Sequence, residues 1–227
     1  MKKATTEKNK EPELTGFAHE LDFWVRFVES DRFKTKWASD EPNPELREPA
    51  GEIITQYAGK AGKVLDVGSG AESILRGTIP RRWITAVDPL ADEYRKIYRD
   101  CKVKKGSAEN LSAFGQFDVV HISNALDHCQ DPLLAMASLW AACKPGGLVY
   151  IQGFAHEADW HNRAGLHQWN IDLHTDRLVI DGTSRLVYRP EKLVFASKEE
   201  SRWKKNGEPV KWWLHFAFEK TGIDEPK

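Results

Sequence analysis

Four short motifs contain the residue types that bind a nucleotide-like ligand, and each follows an apolar run typical of a buried strand. They are Asp66-Val67-Gly68-Ser69-Gly70, Asp88-Pro89-Leu90, Gly106-Ser107-Ala108-Glu109 and Asn124-Ala125-Leu126-Asp127-His128. Glycine lets the backbone approach a ligand that a β-carbon would block. A carboxylate about 20 residues after the first glycine is placed to bind ribose hydroxyls. Ligands of open parallel sheets bind beyond the carboxyl ends of the strands, so the four motifs together predict one nucleoside pocket.

The residues after the second glycine distinguish two cofactor classes. A dinucleotide site uses a third glycine and a helix N-terminus to hold a pyrophosphate. Here Ala71, Glu72 and Ser73 follow, and the carboxylate of Glu72 would repel phosphate. S-adenosylmethionine, with an amino group, a sulfonium and no phosphate, fits this loop better than NAD. Two orientations of Glu72 stay open: outward from the start of a helix, or inward, where it would fill the pocket.

A second set of polar side chains is predicted to face the molecule that reacts with the cofactor. Asp127, His128 and His167 are candidate catalytic residues, because a hydroxyl acceptor needs a base to remove its proton. His156 and Trp169 are candidate substrate contacts. Each has a structural alternative: His128 as a buried hydrogen-bonding group, and His167 and Trp169 as a plug within their own segment.

Alternating strands and helices would place these motifs at one edge of a parallel sheet. Strands are predicted over 64–68, 83–88, 101–104, 117–123 and 148–154. Helices are predicted over 16–30, 52–57, 91–100 and 131–143, with a further short helix that begins at Glu72. Asp131 followed by Pro132 is typical of a helix start.

The pattern changes at residue 155, after which histidine, tryptophan, asparagine and aspartate are frequent. We predict a hairpin of 172–173 with 178–180, a helix over 190–198, and two strands within 200–220 joined at Asn206-Gly207. The expected organisation is a disordered tail (1–15) and a single domain (16–220). That domain has an N-terminal helical cap (16–60) and a substrate-side insert (155–190).

Composition limits the class of protein. The chain has 227 residues and a net charge of −1, which gives no bulk attraction to nucleic acid or anionic lipid. It has no apolar stretch of membrane-spanning length, and its charged N-terminus has no hydrophobic signal core. Three cysteines without close pairing suggest free thiols. We therefore expect a cytoplasmic protein without nucleic-acid or membrane partners, and leave its oligomeric state open.

Several motifs resemble the class I S-adenosylmethionine-dependent methyltransferases, and in particular a bacterial subgroup. They are DPLADEY at 88–94, NALDHCQDP at 124–132 and GLHQWN at 165–170, together with VLDVGSGAES at 64–73. The resemblance covers about residues 17–220. It implies an α/β, Rossmann-like sheet with helices on both faces, strand order 3-2-1-4-5-7-6, an antiparallel last pair formed by the 200–220 hairpin, and S-adenosylmethionine as the cofactor.

The resemblance also implies a role for each matching position. Asp66, Gly68, Ser69 and Gly70 would form the loop at the methionine end, and Asn124 would lie under the methionine moiety. Asp88 would bind the ribose hydroxyls, with Pro89 or Leu90 against the adenine and Ser107, Ala108 and Glu109 at its edge. The chain departs from the family at Glu72, where a third glycine is common.

The reaction that these features favour is O-methylation of a small molecule or of a glycan hydroxyl. The alternatives are a non-catalytic subunit that binds S-adenosylmethionine and, less favoured, a nicotinamide-dependent oxidoreductase. No metal site is predicted. His156-Glu157 and His161 lack the H-E-x-x-H spacing, and Asn124 stands where the E-x-x-E-H arrangement of some metal-binding methyltransferases has its first acid.

Overall fold

The computed structural model describes residues 16–44, 46–59, 62–182, 185–200, 204–205, 208–209 and 211–222. The predicted tail and the predicted turn at 206–207 lie outside these residues. Twelve strands are formed within them: β1 Val64–Val67, β2 Ile84–Asp88, β3 Lys104–Lys105, β4 Phe117–Ser123, β5 Cys143–Phe154, β6 Asn170–His174, β7 Arg177–Asp181, β8 Arg185–Tyr188, β9 Lys192–Glu200, β10 Lys204–Lys205, β11 Glu208–Pro209 and β12 Trp212–Glu219.

Seven of these strands form the central sheet, in the order β3-β2-β1-β4-β5-β12-β9. The first five are parallel in the predicted order 3-2-1-4-5, and β12 is antiparallel to both of its neighbours. Strands β6, β7 and β8 form a separate antiparallel sheet. Strands β6 and β7 of this sheet confirm the predicted hairpin, because Asp172 pairs with Val179 and Leu173 with Leu178. The fold is therefore α/β with a mostly parallel central sheet.

The helices are α1 Gly16–Glu29, α2 Ala50–Ala58, α3 Ala91–Ile97, α4 Pro132–Ala142 and the short α5 Glu157–Trp160. The first four agree with prediction to within a few residues. The carboxylate of Asp131 accepts hydrogen bonds from the backbone N–H groups of Leu133 and Leu134, each at 3.0 Å, so the predicted start of α4 is confirmed.

Successive side chains of the central strands point to opposite faces of the sheet, and both faces pack in the core. Leu65 of β1 packs with Val120 of β4 and with Leu139 of α4 on one face of the sheet. Val64 and its neighbours pack against α2 on the other face, around Ile54. Burial on both faces explains why β1 and β4 read as nearly continuous apolar runs in the sequence.

The predicted helix that begins at Glu72 is wrong. Residues 71–80 form consecutive turns in place of a helix. Gly77 has φ +84°, and a β-carbon at that position would lie 2.0 Å from the backbone oxygen of Glu41. Pro80 follows three residues later, so the segment lacks the length for a helix. The connection from β1 to β2 is consequently a packed loop.

The predicted helix over 190–198 is also wrong, because these residues belong to β9. Val194 and Phe195 favour a strand, and pairing with β12 along its whole length fixes that choice. The last two strands of the sheet are thus β9 and β12, and only β12 lies within the predicted 200–220 hairpin. A membrane span needs a long apolar helix, and the helices of the described residues include none.

Candidate functional site

A cavity of about 1120 Å³ opens at the carboxyl ends of β1, β2 and β4, with α1 forming part of its wall. The structure brings every predicted cofactor-binding residue to this cavity: Asp66, Gly68, Ser69, Gly70, Asp88, Pro89, Leu90, Ser107, Ala108, Glu109 and Asn124. Its volume exceeds the needs of one small ligand and leaves room for a second. The role of each residue in binding stays a prediction, but their convergence is a property of the fold.

The loop after β1 has a backbone that glycine adopts readily. Gly68 and Gly70 have φ values of +65° and +66°, in the left-handed region. A β-carbon at Gly70 would lie 1.8 Å from Cζ2 of Trp24, and one at Gly68 would lie 2.4 Å from the β-carbon of Ala125. The two glycines therefore allow α1 and the turn after β4 to pack directly on the loop.

Asp88 ties the loop after β1 to the end of β2. Its carboxylate accepts hydrogen bonds from the backbone N–H of Gly70 at 3.0 Å and of Leu90 at 2.8 Å. Burial raises the pKa of Asp88 to about 6, and the nearby carboxylate of Glu20 on α1 adds to the rise. A carboxylate has about four lone-pair sites, so Asp88 keeps acceptor capacity for donors in the cavity.

Asp66 is engaged by the protein itself. One carboxylate oxygen lies 2.7 Å from Nδ1 of His121, and the other accepts a hydrogen bond from the hydroxyl of Ser73. The opposite ring nitrogen of His121 lies 2.9 Å from Nε2 of Gln152. This buried network links β1, β4 and β5 directly below the cavity, so Asp66 fixes the base of the loop as well as lining it.

Glu72 adopts neither of the two orientations left open by the sequence. It is 4% exposed, does not line the cavity, and does not begin a helix. Its Oε2 accepts hydrogen bonds from Arg76 at 2.8 Å and Arg81 at 3.0 Å, and the hydroxyl of Tyr98 lies 3.4 Å away. The acid that departs from the family pattern is therefore an ion-pair centre behind the glycine loop.

We expect Glu72→Ala to destabilise the fold by about 2 kcal/mol, because it removes the buried carboxylate from Arg76 and Arg81 and leaves Arg76 with only the exposed Asp40 as a carboxylate partner among the described residues. Urea unfolding measures this loss. Removing the exposed pair partner of Lys96 with Glu93→Ala should change stability by less than about 0.5 kcal/mol. Ligand binding by folded Glu72→Ala should stay near the wild-type value. A stability equal to that of wild type would contradict the role assigned to this ion pair.

The three predicted catalytic residues meet beside the turn after β4. Nδ1 of His167 lies 2.7 Å from Oδ2 of Asp127 and 3.1 Å from Nε2 of His128. Asp127 and His128 come from the turn after β4, and His167 comes from the segment between α5 and β6. His128 and His167 line the cavity, while Asp127 lies behind them. Asp127 and His167 are 40 positions apart in the sequence, and the fold brings them into contact.

The charges of this cluster support one another. Burial by itself would raise the pKa of Asp127, but the charge of His128 and the hydrogen bond with His167 outweigh it and hold the pKa below its usual value. Burial likewise opposes protonation of His167, but the hydrogen bond and the charge of Asp127 raise the pKa of the imidazole overall. The cluster therefore stabilises a positive charge at the edge of the cavity.

The two predicted substrate contacts do not line the cavity. Trp169 is 8% exposed, donates a hydrogen bond from Nε1 to the backbone oxygen of Cys129 at 2.9 Å, and packs in the main core. His156 lies outside the cavity, with Nε2 3.0 Å from Oδ2 of Asp172. The structure therefore places neither side chain on the cavity wall: Trp169 packs in the core, as its structural alternative has it, and His156 pairs with Asp172 of the insert.

Several cavity residues were missed in the sequence, among them two on α1 and one at the start of α5. Glu20 and Trp24 come from α1, whose helical pattern indicated only a buried face. Glu157 begins α5 and is 3% exposed, with Oε2 at 3.8 Å from Nδ1 of His167. The His156-Glu157 pair lacks the H-E-x-x-H spacing, so the sequence predicts no role for its carboxylate. No local signal in the sequence links Glu157 to the cluster after β4, because the connection is made by the fold.

Comparison with known proteins gives a consistent result. The family model described as "Methyltransferase domain" matches residues 42–184. An uncharacterised methyltransferase of Schizosaccharomyces pombe is 29% identical over 120 residues, an alignment that covers 45% of this chain and 43% of the yeast protein. The match thus spans less than half of the yeast protein's length.

Two solved structures are similar over most of both chains. One is the 1,6-didemethyltoxoflavin-N1-methyltransferase of Burkholderia thailandensis, at 17% identity, with 93% of each chain covered and a TM-score of 0.45. The other is an S-adenosylmethionine-dependent methyltransferase of Clostridium acetobutylicum, at 15% identity, with 91% of this chain and 98% of that chain covered and a TM-score of 0.48.

Proposed function

This chain belongs to the methyltransferase-domain family, and we propose that it transfers a methyl group from S-adenosylmethionine to a hydroxyl group of a small molecule or glycan. The observation that carries the proposal is one cavity lined both by the glycine loop with Asp88, here called its cofactor end, and by His128 and His167, here called its acceptor end. A cofactor site and a proton-accepting site are thereby open to the same space.

The cofactor end suits an adenosyl group without phosphates. Gly68 and Gly70 add no side chains to the loop, and Asp88 offers acceptors for ribose hydroxyls. Residues 68–83 are all described and contain no α-helix, so no helix N-terminus follows the loop to hold a pyrophosphate. This feature supports S-adenosylmethionine over NAD. Glu72 lies behind the loop and does not line the cavity, so it leaves room for the cofactor.

The reaction needs alignment and removal of a proton. The acceptor oxygen attacks the methyl carbon in line with the sulfur: the C–O bond forms as the S–C bond breaks, and the bonding electrons return to sulfur to give S-adenosylhomocysteine. The hydroxyl proton leaves at the cluster, where His128 is placed to receive it. Asp127 and His167 would stabilise the charge that develops there.

Calorimetric titration distinguishes the candidate functions. We expect S-adenosylmethionine and S-adenosylhomocysteine to bind at one site per chain, and NADH not to bind. Release of S-adenosylhomocysteine, measured by mass spectrometry with a panel of simple glycosides and phenols, tests transfer. Binding of NADH alone would overturn the proposal. Tight binding of the cofactor with no turnover on hydroxyl or amine panels would support the non-catalytic subunit instead.

The affinity for S-adenosylmethionine should fall at acid pH because of Asp88. Ribose hydroxyls donate to a carboxylate, so binding favours the deprotonated form, whose pKa is about 6 in the free protein. Affinity is then constant above that value and weakens by about tenfold per pH unit below it. Titration from pH 5 to pH 8 measures the profile, and Asp88→Asn should flatten it. An unchanged profile in the variant would assign the dependence to another group.

A further inference from the structure

Four metal-binding side chains converge at the acceptor end of the cavity. They are Asp127, His128, Glu157 and His167, each of which offers one ligand atom, and these four atoms all lie within 4.8 Å of one another. We propose that they bind a first-row divalent transition metal ion that holds the acceptor oxygen. The inference rests on the proposed function only for what the ion does, not for whether it binds.

The distances fit a mononuclear site. Four donors held tetrahedrally at about 2.1 Å from an ion stand about 3.4 Å from one another. In the structure, Nε2 of His128 is 3.1 Å from Nδ1 of His167 and 3.5 Å from Oδ2 of Asp127. Nδ1 of His167 is 3.8 Å from Oε2 of Glu157. Small side-chain rotations would bring all four to a common centre.

The cluster has more hydrogen-bond acceptors than donor protons to satisfy them. Nδ1 of His167 carries at most one proton, yet it faces Asp127, His128 and Glu157 at once. Oε2 of Glu157 is buried and has no hydrogen-bond partner among the described residues. Unsatisfied buried oxygens are costly, so this one is evidence independent of the clustering. A bound cation would accept the unpaired lone pairs of both the carboxylate oxygens and the imidazole nitrogens.

The charge balance points in the same direction. Nζ of Lys211 lies 2.6 Å from Oε1 of Glu157, which neutralises one of the two carboxylates and fixes the orientation of the other oxygen toward the cluster. Such an outer hydrogen bond is typical of metal ligands. A divalent ion would offset the remaining charge of Asp127 and leave one positive charge, which a deprotonated acceptor oxygen would balance. The competing explanation is a proton on His167 in place of the metal.

The donor set indicates the kind of ion and its use. Imidazole nitrogens combined with carboxylates favour zinc, manganese or iron over magnesium or calcium. His128, Glu157 and His167 line the cavity, so an ion that expands from four to five ligands would take the acceptor oxygen on that side. A metal lowers the pKa of an oxygen that it binds. With an ion bound, His128 would be a ligand, and the acceptor hydroxyl could then lose its proton to water.

Metal binding to the full chain tests the site directly. After treatment with a chelator, the protein is titrated calorimetrically with Zn²⁺, Mn²⁺ and Mg²⁺, and the absorption spectrum of a Co²⁺ complex reports on its ligands. We expect one equivalent of Zn²⁺ or Mn²⁺ to bind, with much weaker binding of Mg²⁺. Glu157→Gln and Asp127→Asn should each weaken metal binding at least tenfold. Substitution of residues that only hydrogen-bond to metal ligands already lowers metal affinity by roughly 10–100-fold.

His174→Ala is the matched control. His174 also lies beside a carboxylate, with Nε2 3.3 Å from Oδ2 of Asp172, but it is exposed and outside the cavity. Thermal unfolding identifies any variant that fails to fold. If one of the two ligand variants fails, the other provides the test. No binding, or equal binding by wild type and both ligand variants, would overturn the metal site. Titration of the same samples with S-adenosylmethionine separates this outcome from failure of the proposed function.

Discussion

Asp88→Ala is expected to weaken binding of S-adenosylmethionine at least tenfold, equivalent to about 1.4 kcal/mol. The substitution removes the acceptors for the ribose hydroxyls. It also leaves the backbone N–H groups of Gly70 and Leu90 without the carboxylate that they bind in the folded protein. The glycine loop would lose its connection to the end of β2, so both ends of the cofactor would be affected. Calorimetric titration measures the loss.

Two controls make this result specific. Asp92→Ala removes another carboxylate four residues away, on α3, but Asp92 pairs with exposed Arg95 and Lys105 and does not line the cavity. Its affinity for the cofactor should match that of wild type within about twofold, since surface pairs contribute little. Asp88→Asn keeps one acceptor oxygen and should bind better than Asp88→Ala. Full affinity in Asp88→Ala would remove Asp88 from the cofactor site.

The cofactor end was predictable because its signals are local. Each motif stands at the end of an apolar run, and parallel strands bring those ends to one edge. The glycines, Asp88 and Asn124 therefore reach one cavity without any knowledge of long-range contacts. The N-cap at Asp131 was predictable for the same reason, because its hydrogen bonds join residues two and three apart.

The errors share a different physical origin. Residues 192–200 form a strand because β12 pairs with them, and this long-range contact has no local signal in the sequence. Glu72 is placed by two arginines, and Trp169 by the core on which the insert packs. The acceptor end combines the turn after β4 with α5 and the segment before β6, so the sequence indicated its histidines but missed Glu157.

The acceptor cluster allows a sharp test of catalysis, and its negative control comes from the same residue type. His174→Ala removes an imidazole from the exposed end of the β6–β7 hairpin, outside the cavity. Its turnover and cofactor affinity should equal those of wild type. Any general effect of losing a histidine next to a carboxylate would appear in this variant, so a difference between it and a cluster variant reports on the site.

His128→Ala is expected to lower turnover by roughly a hundredfold or more while leaving the affinity for S-adenosylmethionine within about twofold. The imidazole pairs with His167 and Asp127 and not with the glycine loop or Asp88, so the predicted contacts of those residues with the cofactor are kept. The loss is expected whether His128 receives the hydroxyl proton itself or holds a metal ion that acidifies the hydroxyl.

Adding Zn²⁺ or Mn²⁺ distinguishes these two roles of His128. A metal that stimulates the wild type and not the variant identifies His128 as a metal ligand, whereas a wild type whose rate does not depend on metal identifies His128 as the base. Rates come from release of S-adenosylhomocysteine with an acceptor from the panel, and affinities from calorimetry. Full activity in His128→Ala would move the activation of the acceptor to another residue of the cavity.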